Sequence, residues 1–371
     1  MNRVRIDLSA LRHNFGQIQR LAGKDVRLLA VVKSNAYGHG LVPAARAFQT
    51  AGARMFAVAE VEEGIKLREA GIEGDLIVLL GAAREGFADL LRYDLSPVVY
   101  QPETAEELSA LAQRAGKDVA VHVKFDVGMG RLGALPHQAR SLLERIEKLP
   151  GLHLAGVMSH LPMADRQEEA ATRQQVRLFQ ELISEVGKGQ AGHLLHIANS
   201  AALLRFPDLH FDLVRPGITL YGCYPADWLR EKSEVRLKPA MSFRSSILQV
   251  KDLPAGSGVS YGHAFVTGRP TRLAVVPAGY DDGYSRRLSG KAQVLIRGQR
   301  VPVLGTICMN ACMADVTDLP AVEPGDEVVL LGTQGKEEIT AEEIAGWLGT
   351  ISYEVLCLFG ACNRHEYIEE D

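Results

Sequence analysis

LLAVVKSNAYGHG, from Leu28 to Gly40, joins five apolar residues to a lysine and then to Ser-Asn-Ala-Tyr-Gly-His-Gly. Leu28 to Val32 is continuously apolar and β-branched toward its end, the pattern of a strand buried on both faces. Lys33 therefore sits at the lip of a core, although lysine is almost never fully buried without a partner. An isolated lysine there would cover apolar surface with its stem and reach water with its ammonium. The rest of the chain decides whether this one does more.

Seven further apolar, β-rich runs follow, at 55–60, 76–81, 95–100, 119–126, 154–160, 194–199 and 212–217. Helical patterns separate them. In TAEELSALAQRAG, Leu108, Leu111, Ala112 and Ala115 fall on one face and Gly116 supplies a stop. Eight strands alternating with helices over about two hundred residues are expected of a (β/α)8 barrel; an open doubly wound sheet is the alternative. After about Leu229 the pattern changes to strands with frequent Gly, Pro and Asp turns, and only TAEEIAGWLG and SYEVLCLFG near the end look helical. We therefore expect a barrel over 8–230 and a mostly β domain over 231–371.

The chain of 371 residues is 47% hydrophobic and 23% charged, ordinary for a globular protein. Its net charge of −4 offers no basic excess for nucleic acid. No apolar run is long enough to span a bilayer, and the start, MNRVRIDLSALRHNF, does not read as a signal or transit peptide, so a cytoplasmic protein is expected. Five cysteines, four of them in CMNAC and CLFGAC, lack the C-x-x-C spacing of a zinc site, and no metal is expected.

Unusual residues collect at the C-terminal ends of the expected barrel strands, where barrel enzymes carry their sites. Lys33 and Tyr37 follow the first, Lys124, Asp126 and Arg131 the fifth, His160 the sixth, Asn199 and Ser200 the seventh, and Arg215 the eighth. Each alone has an ordinary structural explanation; core packing does not require all of them on one rim. Ser200 and the amides of Gly217 and Ile218, with the Tyr37 hydroxyl, suit a phosphate. A phosphate cradle opposite a buried lysine suggests pyridoxal phosphate held as a Schiff base.

AVVKSNAYGHG resembles the cofactor-lysine signature of alanine racemases, and the resemblance covers nearly the whole chain. It includes RIDLSALRHN, KFDVGMGRLG, GVMSHLPMAD, HIANSAA, VRPGITLYG, VSYG, ICMNACMADV and TISYEV, in this order. The resemblance implies a homodimer of a barrel plus a β domain that the N-terminal strand, residues 1–7, joins. It implies two-base proton transfer on a pyridoxal phosphate aldimine, interconverting L- and D-alanine and supplying D-alanine for peptidoglycan. Lys33 would be one base and Tyr261, from the other subunit, the second. The cofactor would be held by Lys33, Tyr37, Leu80, His160, Asn199, Ser200, Arg215, Gly217, Ile218 and Tyr353. Arg215 would face the ring nitrogen, and Tyr261, His160 and Arg215 would form a chain. Arg131 and the backbone of Met309 would take the substrate carboxylate. Lys124 matches a position carbamylated in many members.

The chain departs from the family pattern at Asn310, where aspartate is usual, at Thr306, where arginine is common, and in its last residues, GACNRHEYIEED. Other readings are a pyridoxal phosphate carrier without turnover, a racemase of serine or of a wider range of amino acids, and a pyridoxal decarboxylase. The carrier would lack a β domain and any counterpart of Tyr261.

Overall fold

The fold is that of a computed structural model, which describes residues 2–186 and 192–369. The chain divides into two compact units, one of Leu11–Ala36 and Leu41–Leu237, the other of Met1–Ala10, Tyr37–Gly40 and Lys238–Asp371. The first is a barrel, not an open sheet. After an N-terminal strand β1 (Arg3–Asp7), its strands are β2 (Arg27–Val31), β3 (Met55–Val58), β4 (Asp75–Val78), β5 (Ser96–Val99), β6 (Val119–Lys124), β7 (Leu152–Met158), β8 (Leu194–His196) and β9 (Leu213–Val214). They lie in the order β8-β7-β6-β5-β4-β3-β2-β9, so each strand pairs with its neighbours in sequence and β9 returns to β2. The ladders are parallel, and an isolated bridge from Asn199 to Arg215 joins the two remaining strand ends. Strands covered on both faces need unbroken apolar runs, which is why Met55–Val58 is buried throughout.

The helix Pro102–Ala115 shows how sequence sets the outer layer. Proline opens it, Leu108 and Ala112 are buried, and Gly116 ends it in the left-handed region. Leu111 is half-buried and Ala115 is exposed. The expected apolar stripe thus runs one turn past the surface it covers.

The second unit is built on a sheet of order β11-β14-β17-β16-β15-β18-β10-β1-β20. Its members after β1 are β10 (Met241–Ser246), β11 (Gln249–Leu253), β14 (Thr271–Val276), β15 (Gln293–Ile296), β16 (Gln299–Leu304), β17 (Cys312–Asp315), β18 (Glu327–Gln334) and β20 (His365–Ile368). A small hairpin of β12 (Gly258–Val259) and β13 (Phe265–Val266) stands apart, and β19 (Glu337–Ile339) pairs with β18. β1 runs antiparallel to β10 and parallel to β20.

After β2 the chain makes an uncommon turn. Ser34, Asn35, Ala36 and Tyr37 have φ of 55°, 54°, 55° and 53°, one turn of left-handed helix directly after Lys33. Left-handed backbone costs L-residues roughly 1–2 kcal/mol each, so tertiary contacts must hold it. The Ala36 N–H donates to Val32 O at 2.8 Å. The Asn35 side-chain oxygen accepts from Leu41 N at 2.8 Å, and the Asn35 N–H donates to Glu63 Oε1 at 3.1 Å. Glu63 is itself anchored through Oε2 to the Ala59 N–H at 2.9 Å. The next residue, Gly38, has φ of +83°, and a Cβ there would lie 2.4 Å from the Leu356 carbonyl oxygen. Gly38→Ala should therefore destabilise the protein by about 2 kcal/mol or more. Urea unfolding measures it, and a change of less than about 0.5 kcal/mol would contradict this packing.

Candidate active site

Lys33 and Arg215 emerge from neighbouring strands, because β2 and β9 pair in parallel and the Val31 N–H donates to Pro216 O at 3.1 Å. Arg215 is a closely held cation of the barrel. It is 5% exposed and makes no ion pair among the described residues. Carbonyl oxygens hold it instead: Nη1 donates to His196 O at 2.9 Å, and Nη2 donates to Ser159 O at 2.6 Å and Ile197 O at 3.2 Å. Nη1 also reaches His196 Nδ1 at 3.2 Å, and Nη2 lies 3.5 Å from His160 Nδ1. Its Nε–H bonds to nothing among the described residues. Burial pulls the guanidinium down to about 9, which leaves it charged at neutral pH.

More cations converge on this end of the barrel. Lys124, at the end of β6, is 5% exposed. Burial first, then the charges of Arg215 and Arg131, lower its pKa to about 8; Asp126 opposes them and Lys33 adds to them. Burial and the same four cations hold His160 well below its ordinary value. Asp126 is not free to neutralise them. Its Oδ1 accepts from the Gly128 and Met129 amides at 2.8 and 2.7 Å, and its Oδ2 from Gly130 N at 2.8 Å. Four positive side chains facing one engaged carboxylate form a receptor for anions.

Beside Arg215, the Gly217 N–H donates to Ser200 Oγ at 2.9 Å, and that oxygen lies 3.2 Å from Thr219 Oγ1. Gly217 therefore fixes Ser200 rather than offering its own amide outward. The amide of Ile218 opens the 3-10 turn Ile218–Tyr221, where first-turn N–H groups have no partner within the turn. Asn199 caps the helix Ser200–Arg205: its oxygen accepts from Ala202 N at 3.0 Å and its Nδ2 donates to Leu161 O at 3.0 Å. Both ends of Asn199 are thus engaged in structure. Leu80 is 45% exposed on the loop after β4, its carbonyl accepting from the Tyr100 hydroxyl at 3.1 Å. Arg131 is exposed and lines a cleft of about 730 Å³ with Tyr100, Gln101, Glu103 and His137.

The other candidates lie in the second unit. Tyr37 and Tyr353 place their rings 6.0 Å apart, and burial raises the Tyr37 phenol. Tyr261 is 70% exposed. The residue before it, Ser260, has φ 64° and ψ −171°, a conformation otherwise confined to glycine. Two hydrogen bonds hold the loop: Ser260 Oγ donates to Thr306 O at 2.5 Å, and Thr306 Oγ1 donates to Tyr261 O at 3.3 Å. Thr306 is thus a buried brace for the tyrosine loop. Met309 is exposed, and its carbonyl accepts from Asp281 N at 3.0 Å. Asn310 donates to Asp281 Oδ2 at 3.2 Å.

Two residues of the cluster escaped the sequence reading, His122 and His196. His122 Nδ1 lies 3.0 Å from His196 Nε2, directly behind Arg215. One signal pointed there: in VAVHVK, His122 is two residues before Lys124 and so faces the same side of the strand.

Burial, then the charge of Arg215, lowers His122 to about 4 and holds His196 well below the usual imidazole value. Between pH 6.5 and 4 the unfolded chain binds protons that these rings refuse in the native state. Native stability is therefore complete above pH 6.5 and falls as the pH drops toward 4. Each ring can contribute about 1.4 kcal/mol per pH unit in that window. Denaturant midpoints should fall between pH 7 and 5, and should fall less in His122→Asn. Equal slopes in the two proteins would remove His122 from the account.

Residues 6–225 match the family described as alanine racemase, N-terminal domain, and residues 240–367 the alanine racemase C-terminal domain. The alanine racemase of Syntrophobacter fumaroxidans is 44% identical over 357 residues, 96% of this chain and 95% of that one. Among solved structures, the alanine racemase from D-cycloserine producing Streptomyces lavendulae superposes with a TM-score of 0.95 at 38% identity, covering 100% of this chain and 97% of that one. The alanine racemase from Bartonella henselae with covalently bound pyridoxal phosphate gives 0.89 at 28% identity, covering 99% of each chain. With both domains matched in order and the barrel closed around a lysine and a buried arginine, the chain belongs to the alanine racemase family, a family of enzymes.

Proposed function

We propose that this chain interconverts L-alanine and D-alanine, with pyridoxal 5'-phosphate carried on Lys33 at the barrel mouth, and that it works as a homodimer. The observation that carries the reading is Arg215, a buried guanidinium on the strand beside Lys33 that has, among the described residues, no ion-pair partner and no acceptor for its Nε–H. The residues fit that cofactor. Lys33 would supply the amine that holds it, Arg215 would offer its Nε–H to an acceptor nitrogen, and the surrounding cations would balance its phosphate. The Ser200 hydroxyl, the Ile218 amide and the hydroxyls of Tyr37 and Tyr353 would hold its phosphate. Gly217, Asn199 and Leu80 shape this wall without offering a side-chain charge. When bound, pyridoxal phosphate supplies the electron sink that makes the α-proton of an amino acid labile.

The protein's own groups do the rest. Arg131 and the Met309 amide grip the substrate carboxylate, which fixes the Cα–H bond relative to the two bases. Lys33 removes or returns the proton on the D-alanine side, and Tyr261 of a second copy works on the opposite side. Exposure on a strained, braced loop suits a tyrosine that serves another chain rather than its own core. His160 stays neutral in this cationic setting, so it can accept a hydrogen bond from Arg215 and pass polarity toward the phenol. Arg215 cannot give up its proton at neutral pH, so it would hold a facing ring nitrogen in its unprotonated form. Such a ring would be a weaker electron sink, which would favour racemisation over transamination. The D-alanine formed would feed peptidoglycan synthesis.

Lys124 is proposed to be carbamylated. Near pKa 8 a fraction of its amine is neutral at pH 7 and can add to carbon dioxide. Two protons pass to solvent, one when the ammonium becomes the free amine and one as the new N–C bond replaces an N–H, so the side-chain charge changes from positive to negative. Arg131 then gains an anionic brace in place of a like charge. Activity should fall in carbon dioxide-depleted buffer and return with bicarbonate, while labelled bicarbonate should give a carbamate carbon signal absent from Lys124→Arg. Full activity without carbon dioxide would refute it.

The face assignment has its own test. In Tyr261→Phe, racemisation should fall by at least about a hundredfold in both directions, whereas exchange of the D-alanine α-proton with deuterated water should persist. Equal loss of exchange from D- and L-alanine would contradict face-specific bases. Mixed with Lys33→Ala, which is also inactive alone, it should regain activity as heterodimers form, because one site then holds both native bases. Heterodimers that form but stay inactive would rule out a shared site.

A further inference from the structure

Behind Arg215 the barrel carries two imidazoles in series, and nothing in the proposed chemistry uses them. We propose that His196 and His122 are positioning residues, a neutral relay of fixed hydrogen-bond polarity that aims the Arg215 Nε–H at the cofactor ring. The proposal rests on the reading that Arg215 faces that ring.

The polarity follows from donor chemistry. A guanidinium has only donors, so His196 Nδ1, 3.2 Å from Arg215 Nη1, must present its lone pair. The proton of the neutral His196 ring then lies on Nε2, which donates to His122 Nδ1 at 3.0 Å. His122 in turn carries its proton on Nε2. Every N–H along the chain points away from Arg215, and protonating His196 would set a donor against a donor. Burial and the charge of Arg215 oppose protonation of either ring, and His122 is the further ionisable neighbour that acts on His196.

The backbone is arranged to admit these rings. The β6–β7 ladder shifts register between Val121 and His122, a bulge of the kind that re-aims a side chain beside an active site. The residue opposite His122 is Gly156, where a Cβ would lie 2.3 Å from His122 Nδ1. The two rings meet edge to face, 5.1 Å between centroids at 86°. Filling this part of the core would need neither a bulge nor a glycine; an aliphatic side chain would do. The planar guanidinium is then held at both terminal nitrogens, Nη1 on His196 and Nη2 on Ser159 and Ile197. Fixing both ends fixes the direction of Nε–H.

The test compares the holoenzyme with His122→Leu, which removes the acceptor, and His122→Asn, which keeps one for the His196 Nε2–H. Nitrogen-15 NMR of the wild type should show His196 as the neutral Nε2–H tautomer throughout pH 8 to 5. His122→Leu should lower kcat between about ten- and a hundredfold with KM for alanine changed less than about threefold. It should also alter the pH dependence of the cofactor absorbance, and His122→Asn should restore most of both. An Nδ1–H tautomer, titration of His196 near pH 6.5, or identical behaviour of the two variants would overturn the proposal. If His122→Leu does not fold, the tautomer of the wild type and the pH profile of His122→Asn decide. Arg215→Lys is the control for the underlying reading. If it leaves the cofactor absorbance unchanged from pH 5 to 9 while His196 shows the expected tautomer, Arg215 does not face the ring, and the relay stands as a structural device only.

Discussion

A buried guanidinium held only by neutral acceptors is an uncommon arrangement, and the barrel mouth is organised around it. Arg215 gives four of its five N–H groups to carbonyl oxygens and imidazole lone pairs, and it has no carboxylate among the described residues. A buried charge without a counter-ion is costly, so the fold maintains it only where surrounding dipoles and a bound ligand compensate. Lys33 and Arg131, and Lys124 while its amine is unmodified, add charge of the same sign, and the carboxylate that opposes them among the described residues, Asp126, is held by three backbone amides. Such a cluster is destabilising without an anion and receptive with one. Burial first, and then this excess of like charge, depresses lysine and histidine basicity across the rim.

Strain marks both proposed bases. Lys33 precedes a left-handed turn of four non-glycine residues, and Tyr261 follows Ser260 in a glycine-like conformation. In each case side chains remote in sequence provide the restraint, Glu63 for the first and Thr306 for the second. A strained backbone held by hydrogen bonds limits the positions available to the side chain beside it, which is what proton transfer along a fixed direction needs.

Much of this was legible in the sequence. Eight apolar runs gave the barrel strands because parallel strands covered on both faces must be continuously apolar. Lys33, Lys124, His160 and Arg215 were visible because charge at the end of such a run is conspicuous. The left-handed turn was not visible. SNAYGHG places its glycines at Gly38 and Gly40, whereas the turn uses Ser34 to Tyr37, and contacts from Glu63 and Leu41 override local preference. His122 and His196 were hidden for another reason: within apolar strands they read as satisfied core histidines, and only the bulge and Gly156 reveal that room was made for them. Gly217 looked like an outward amide until its bond to Ser200 appeared.

The most direct measurement of the central claim is ligand-linked stability of the cofactor-free protein. Pyridoxal 5'-phosphate at a hundred times its dissociation constant should stabilise the native state by about 2.7 kcal/mol and produce visible absorbance. Pyridoxal without phosphate should do far less, and Lys33→Ala should lose the absorbance while keeping part of the stabilisation, because the cation cluster remains. A protein equally stable with and without pyridoxal phosphate, or one that does not distinguish it from pyridoxal, would contradict the account of the barrel mouth as an anion receptor built around Arg215.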